Sequence, residues 1–279
     1  MGAERYSRSE AFFGAEGQRK IAMQRVAIVG LGGLGSHIAQ QRAYLGVHDY
    51  RLIDFDIVTD SSLNRLIGAC DSDVSAKIKK IAVAERTIRA ILPDTTVHPV
   101  DTRLDAPEVE PVLADADVVF GCLDRDLARL QLNELCARNA TPLFDLASDT
   151  GGGQDELTYG GRVLFANGTG CLVCHDVLDQ EAIRLERMTP EDRERDERIY
   201  GVRRSALPGT GPMVVSVNGV VASLAVTEFM AFATGIRDPS PYVIYRGELP
   251  AVRRVLDDPE PDCYLCAEVW RAALAARTQ

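Results

Sequence analysis

"RVAIVGLGGLGSHIAQ", residues 25–40, passes from a short β-branched, apolar run through Gly30, Gly32, Gly33 and Gly35 into a helical pattern. Small residues at a strand-to-helix turn let the backbone approach a phosphate closely. The helix start that follows presents unpaired N–H groups and the positive end of a dipole. Asp54 closes the next strand-like run, "YRLIDFD", 19 residues beyond Gly35. A carboxylate there can accept bonds from ribose hydroxyls. The stretch therefore predicts the first strand, turn and helix of an α/β nucleotide fold.

Strand and helix patterns alternate outward from this turn, which predicts a parallel sheet covered on both faces. "TVHPV", "DVVFGC" and "TPLFDLA" read as further strands. "KKIAVAERTIRAIL" reads as a helix with Ile81, Ala84, Ile88 and Ile91 on one face, and Pro93 lies just beyond it. After residue 150 "DTGGGQ" reads as a flexible turn, "GRVLFA" as a strand, and "YVIYRG" and "AVRRVL" as two short strands. The mixed-charge run 186–198, "ERMTPEDRERDER", reads as a solvated helix or mobile loop. The expected architecture is a Rossmann-like, doubly wound, mainly parallel sheet with helices on both faces, extended by antiparallel strands. It forms one domain over 1–279: an arm (1–24), a nucleotide-binding half (25–150) and a half carrying the crossover, partner-binding and cysteine segments (151–279).

Hydrophobic residues make up 46% of the chain and charged residues 26%, as in an ordinary globular protein. The net charge of −10 argues against a general nucleic-acid binder and leaves any polyphosphate to local cations and backbone amides. "MGAERYSRSE" carries no apolar signal region, and a cytoplasmic, membrane-free protein is expected. The apolar segment 213–235 is long enough to span a bilayer. Ser216, Asn218, Ser223, Thr227 and Glu228 within it favour a helix buried in protein.

Seven cysteines include two C-x-x-C pairs, Cys171 with Cys174 and Cys263 with Cys266. Their spacing suits a four-thiolate tetrahedral zinc site, and a reducing compartment disfavours the rival disulfide reading. With all four positions filled by thiolate, the zinc would be structural. Cys122 and Cys136 read as core residues, and Cys70 as a loop thiol.

Other features fit a nicotinamide-dependent dehydrogenase poorly. The central glycine is doubled, "LIDFDIVTDSSLNRL" follows the second strand, and "GCLDRDLARLQLN" puts Asp124 directly after the fourth. Arg129 lies one turn further on. The ordered set "RYSR", "GLGGLGS", "IDFD", "LNR", "CLD" and two C-x-x-C pairs, from about residue 5 to residue 266, resembles the MoeB/ThiF branch of the ubiquitin-activating-enzyme superfamily. Members of that branch adenylate the carboxyl terminus of small ubiquitin-like proteins.

The resemblance implies that Asp54 binds the ATP ribose, that Gly32, Gly33 and Gly35 face the phosphates, and that Gly30, Leu34, Asp56, Asn64, Arg65, Lys80, Leu123, Asp124 and Arg129 line the nucleotide site. Arg65 and Lys80 would contact phosphates, and Lys77 and Lys79 are close enough in sequence to exchange with Lys80. Asp124 would hold Mg²⁺. Arg8 would reach into the partner's site across a homodimer. Arg8, Arg65, Lys80 and Asp124 would then be the catalytic set. ATP, Mg²⁺ and structural zinc are the implied cofactors, and a small ubiquitin-like or sulfur-carrier protein with a Gly-Gly tail is the implied partner. Departures from the family pattern are Ser62, Leu66 and Arg125, where Asn, Gln and Asn are usual. No cysteine occurs from Asp176 to Asp262, so no thioester step is expected in the crossover, and the 13 residues after Cys266 hold no fused sulfurtransferase. The rivals are a transfer-RNA-modifying adenylating relative, the dehydrogenase and an inactive scaffold subunit.

Overall fold

The computed structural model describes residues 4–151, 158–189, 191–192 and 213–277. Its strands are β1 (Arg25–Val29), β2 (Asp49–Ile53), β3 (Thr96–Val100), β4 (Val118–Gly121), β5 (Leu143–Gly151), β6 (Thr158–Ala166), β7 (Tyr242–Arg246) and β8 (Ala251–Arg254). All join one sheet in the order β3-β2-β1-β4-β5-β6-β7-β8. Pairing is parallel from β3 to β5 and antiparallel from there to β8. The expected Rossmann-like sheet with an antiparallel extension is therefore present.

β1 reads Val-Ala-Ile-Val over its buried residues because helices cover it on both faces, and a strand without a wet face needs no polar alternation. On one side Ile28, Leu52, Phe120, Phe144 and Phe165 pack with α2 (Gly33–Leu45), α4 (Lys80–Ile91) and α8 (Val215–Thr234). On the other, Val29, Ile53, Val119 and Leu143 pack with α5 (Val109–Ala114), α6 (Asp126–Arg138) and the first cysteine segment. α8 is the one described helix apolar and long enough to cross a membrane. Its Val221, Ala222, Ala225 and Phe229 lie in the central core, as its small residues predict.

The register brings Val29 level with Ile53 on one side and Gly121 on the other. Gly30, Asp54 and Cys122 therefore leave the sheet along one edge. The chain order reverses between β1 and β4, so that edge opens at the crevice where such sheets bind ligands. Gly46 closes α2 in the left-handed region (φ 86°). Its N–H donates to the Ala43 carbonyl, and the Val47 N–H donates to that of Arg42.

Two segments differ from expectation. The arm folds as α1 (Ser7–Ala22), broken at Gly14 (φ 78°), and Gln18 Nε2 donates to the Leu45 carbonyl at 2.8 Å. Asp149, Thr150 and Gly151 do not form a turn but continue β5, held by register with β6. Most of the charged run 186–198 lies outside the described residues, apart from the end of α7 (Gln180–Arg187) and a few residues after it.

Phe144 stacks on Phe165 at 4.4 Å and on Phe120 at 5.3 Å, with no exposed surface. Phe144→Ala would leave a cavity at the centre of the sheet. The expected loss is about 3–5 kcal/mol of unfolding free energy, read from urea denaturation.

Candidate nucleotide site and thiol cluster

The turn after β1 is closed by backbone contacts that only glycine permits. A Cβ on Gly35 would lie 1.9 Å from the Gly30 carbonyl oxygen, and one on Gly30 (φ 87°) would lie 2.6 Å from that of Cys122. Gly32 has open space before it. The turn therefore bares the amides that start α2, where an anion is favoured by unpaired donors and the helix dipole. Ser36 Oγ donates to the Gly33 carbonyl at 3.2 Å and accepts from the Ile67 N–H at 3.1 Å. That bond ties α2 to the segment bearing Asn64 and Arg65.

Asp54 Oδ2 accepts from the Leu31 N–H at 2.6 Å, and its Oδ1 from the Asp56 N–H at 2.8 Å. Burial pushes its pKa up, and the two amides and Lys80 oppose the shift. The carboxylate thus fixes the glycine turn to the end of β2.

Lys80 Nζ pairs with Asp56 Oδ2 at 2.7 Å, and the Lys80 N–H donates to the Asp56 carbonyl. Of the three neighbouring lysines, Lys80 is thereby held beside Asp54. Lys79 turns to the Phe55 carbonyl and Asp101, and Lys77 is exposed in a turn. The Arg65 stem passes Gly33, with Cδ 3.4 Å from where a Cβ would stand. Its Nη1 donates to the Ser61 carbonyl and to Asn64 Oδ1.

Leu123 packs at Gly30, its Cδ2 3.4 Å from the position of a Cβ there. Asp124 follows it, exposed, and has no ion-pair partner among the described residues. Glu186 of α7 stands in the field of Arg125, Asp126 and Asp124. Burial raises its pKa, Arg125 lowers it and the two acids raise it further. Composition alone did not single out Glu186.

Arg129 and Arg8 stand in contrasting settings. Arg129 is only 4% exposed, and its fork grips Asp145 while Nη1 reaches Asp126 Oδ1 at 2.8 Å. It braces α6 against β5 instead of facing the ligand, because a buried guanidinium needs its carboxylates close by. Arg8 is exposed near the start of α1. Tyr6, two residues earlier, packs on Gly46 at the far end of α2, about 20 Å along a 13-residue helix from the glycine turn.

Asn218 of α8 entered the sequence reading only as a polar interruption of an apolar helix. Its carboxamide is wholly buried, and Nδ2 lies 2.3 Å from the place of a Cβ on Gly33. A buried amide within an apolar run is the signal that marks it.

The four cysteines of the two C-x-x-C pairs meet. Their sulfurs all lie within 4.8 Å of one another, with Cys171–Cys263 and Cys171–Cys174 at 3.7 Å and Cys174–Cys266 at 3.9 Å. A tetrahedron with metal–sulfur bonds of about 2.3 Å has edges of about 3.8 Å, so this cluster could hold a zinc ion. The Cys171 N–H donates to Cys174 Sγ at 3.0 Å, and the Leu172 N–H to Asn133 Oδ1 at 3.3 Å. The thiols of Cys174 and Cys266 hydrogen-bond the Cys171 sulfur and lower its pKa, while their own rise. Cys122 and Cys136 are pushed up by burial alone or nearly so, as suits core thiols.

The ThiF family profile matches residues 6–265. Escherichia coli molybdopterin-synthase adenylyltransferase is 28% identical over 258 residues, which span 92% of this chain and 92% of that enzyme. The E. coli sulfur carrier protein ThiS adenylyltransferase is 29% identical over 228 residues, covering 81% of this chain and 78% of its own. The SAMP-activating enzyme of Haloferax volcanii is 37% identical over 142 residues, and the match spans 52% of that relative's length. Among solved structures, E. coli MccB with ATP superposes with a TM-score of 0.69 at 19% identity, over 95% of this chain and 75% of that one, a likeness of fold. Of these relatives, two are named adenylyltransferases and one an activating enzyme. With the glycine turn, Asp54, Asp124 and the first cysteine pair inside the matched span, the chain belongs to the ThiF family, of MoeB/ThiF type.

Proposed function

We propose that this protein uses ATP to adenylate the C-terminal carboxylate of a small ubiquitin-like or sulfur-carrier protein with a Gly-Gly tail, releasing pyrophosphate. The observation that carries this reading is the single strand edge where the glycine turn, Asp54, the Lys80–Asp56 pair and Leu123–Asp124 meet. The carboxylate attacks the α-phosphorus and pyrophosphate leaves, so no side-chain nucleophile is required. Positioning and neutralisation of charge carry the rate. Asp54 holds the ribose, the amides of α2 and Arg65 take phosphate oxygens, and Lys80 adds a compact charge. Asp124 offers an exposed carboxylate to Mg²⁺, which binds through few carboxylates and through phosphate. The ion would offset charge on the departing pyrophosphate. With no cysteine between Asp176 and Asp262, the reading includes no thioester step in the crossover.

Exchange of radiolabelled pyrophosphate into ATP tests the reading. It should depend on adding such a carrier protein, and Asp124→Ala should slow it about 10²-fold, or about 3 kcal/mol. Exchange at the wild-type rate in that variant would remove Asp124 from the site, and binding of NAD in place of ATP would overturn the activity.

Arg8 sits at the end of α2 remote from its own glycine turn, which supports its action in a second copy's site. Mixing and re-equilibrating inactive Arg8→Ala and Asp124→Ala proteins should then restore exchange through mixed dimers. A mixture as inactive as its components would speak against the trans arrangement.

We assign the thiol cluster a structural zinc. The purified chain should release about one zinc on thiol modification, and Cys263→Ser should lose both the metal and much of the thermal stability. A metal-free protein of unchanged melting temperature would refute it.

A further inference from the structure

The strongest unexplained group in the molecule is the side chain of Asn218. It stands in the first turn of α8 with no exposed surface, and neither Nδ2 nor Oδ1 has a hydrogen-bond partner among the described residues. Buried amides in folded proteins are almost always paired, because an unpaired one loses its bonds to water and gains nothing in return. Valine or leucine at 218 would fill much the same space beside Val217 and Val221 without that penalty. The position nevertheless holds a carboxamide.

Its direction indicates what it meets. Nδ2 occupies the volume that a side chain at Gly33 would need, 2.3 Å from the place of that Cβ, and Arg65 Cδ is 3.4 Å from the same point. Gly33 is the first residue of α2, whose opening amides have no partner within the helix. Helix amides, a guanidinium stem and a carboxamide thus come together at one residue of the turn. The amide is also held there. His37, one turn along α2, packs against the start of α8, its Cε1 3.3 Å from the place of a Cβ on Gly219. These contacts lock the start of α8 onto α2.

We infer that Asn218 is a ligand-binding residue, its Nδ2 donating to a phosphate oxygen of the nucleotide held at the start of α2. This rests on the adenylation reading for the identity of the ligand. It adds that the carboxyl-terminal half of the chain reaches the phosphates directly, through α8. The glycine at 33 is then required twice, by the approaching phosphate and by the amide behind it.

Isothermal titration of the full-length protein with ATP and MgCl₂, without any acyl partner, separates the possibilities. Asn218→Ala should weaken ATP binding about 10-fold, the loss expected for one hydrogen bond to a charged group. Asn218→Asp keeps the shape and sets a negative charge beside the phosphates, so it should weaken binding further, 100-fold or more. Melting temperatures without nucleotide should be equal or higher for Asn218→Ala, since the unpaired amide is gone. A packing role predicts the reverse order, with the isosteric aspartate near wild type and alanine the poorer binder and the less stable protein. That order, or affinities within twofold of wild type in both variants, overturns the inference and leaves adenylation standing. If wild-type protein binds no ATP, both readings fall. Should Asn218→Ala fail to fold, Asn218→Ser removes the same donor at smaller volume change and must show the same loss.

Discussion

The closeness of Gly35 to the Gly30 carbonyl is the constraint on which the upper edge of this molecule depends. With hydrogen in place of a side chain at 35, α2 starts directly over the end of β1, and its first amides face outward from the sheet. Asp54 then anchors Leu31, and Ser36 anchors Ile67, so both neighbouring segments take their positions from that one crossing. Asp54, Asp56 and Arg65 are carried on these anchored segments. That is the arrangement phosphoryl chemistry needs, because stabilisation by fixed charges is strongest when nothing has to reorganise during the reaction.

Much of this was legible in the sequence, for reasons that can be named. β1 is apolar on both faces, and the small residues of α8 let half of that helix pack into the core. The thiol cluster was readable from spacing because tetrahedral coordination by C-x-x-C pairs tolerates few alternatives. α1 was hidden by Gly14 and Gly17, which interrupt any helical stripe. The last residues of β5 were hidden because Asp, Thr and Gly favour turns, and only the ladder to β6 overrides them.

The buried ion pair of Arg129 was hidden for a different reason. Sequence order puts it one turn after Asp124, on the helix that begins at the ligand edge. Which way its side chain turns depends on Asp145, which reaches it only after β4 and β5 have paired. Asn218 was obscured for the same reason, since the residue it packs on, Gly33, belongs to the other half of the chain. Residues whose role is set by a nearby strand end could be read locally. Those whose partner arrives only through strand pairing or from a distant helix could not.

Arg42 gives the fold a further property. It lies in the last turn of α2, wholly buried, its guanidinium 3.0 Å from the centre of the Phe229 ring and 4.3 Å from that of Phe120, with no hydrogen-bond partner for its nitrogens among the described residues. Aromatic faces and the negative pole of the helix stand in for the missing carboxylate. α2 is thus an oriented electrical axis through the protein, its lower pole satisfied by a cation built into the chain and its upper pole left for an anion that must come from outside.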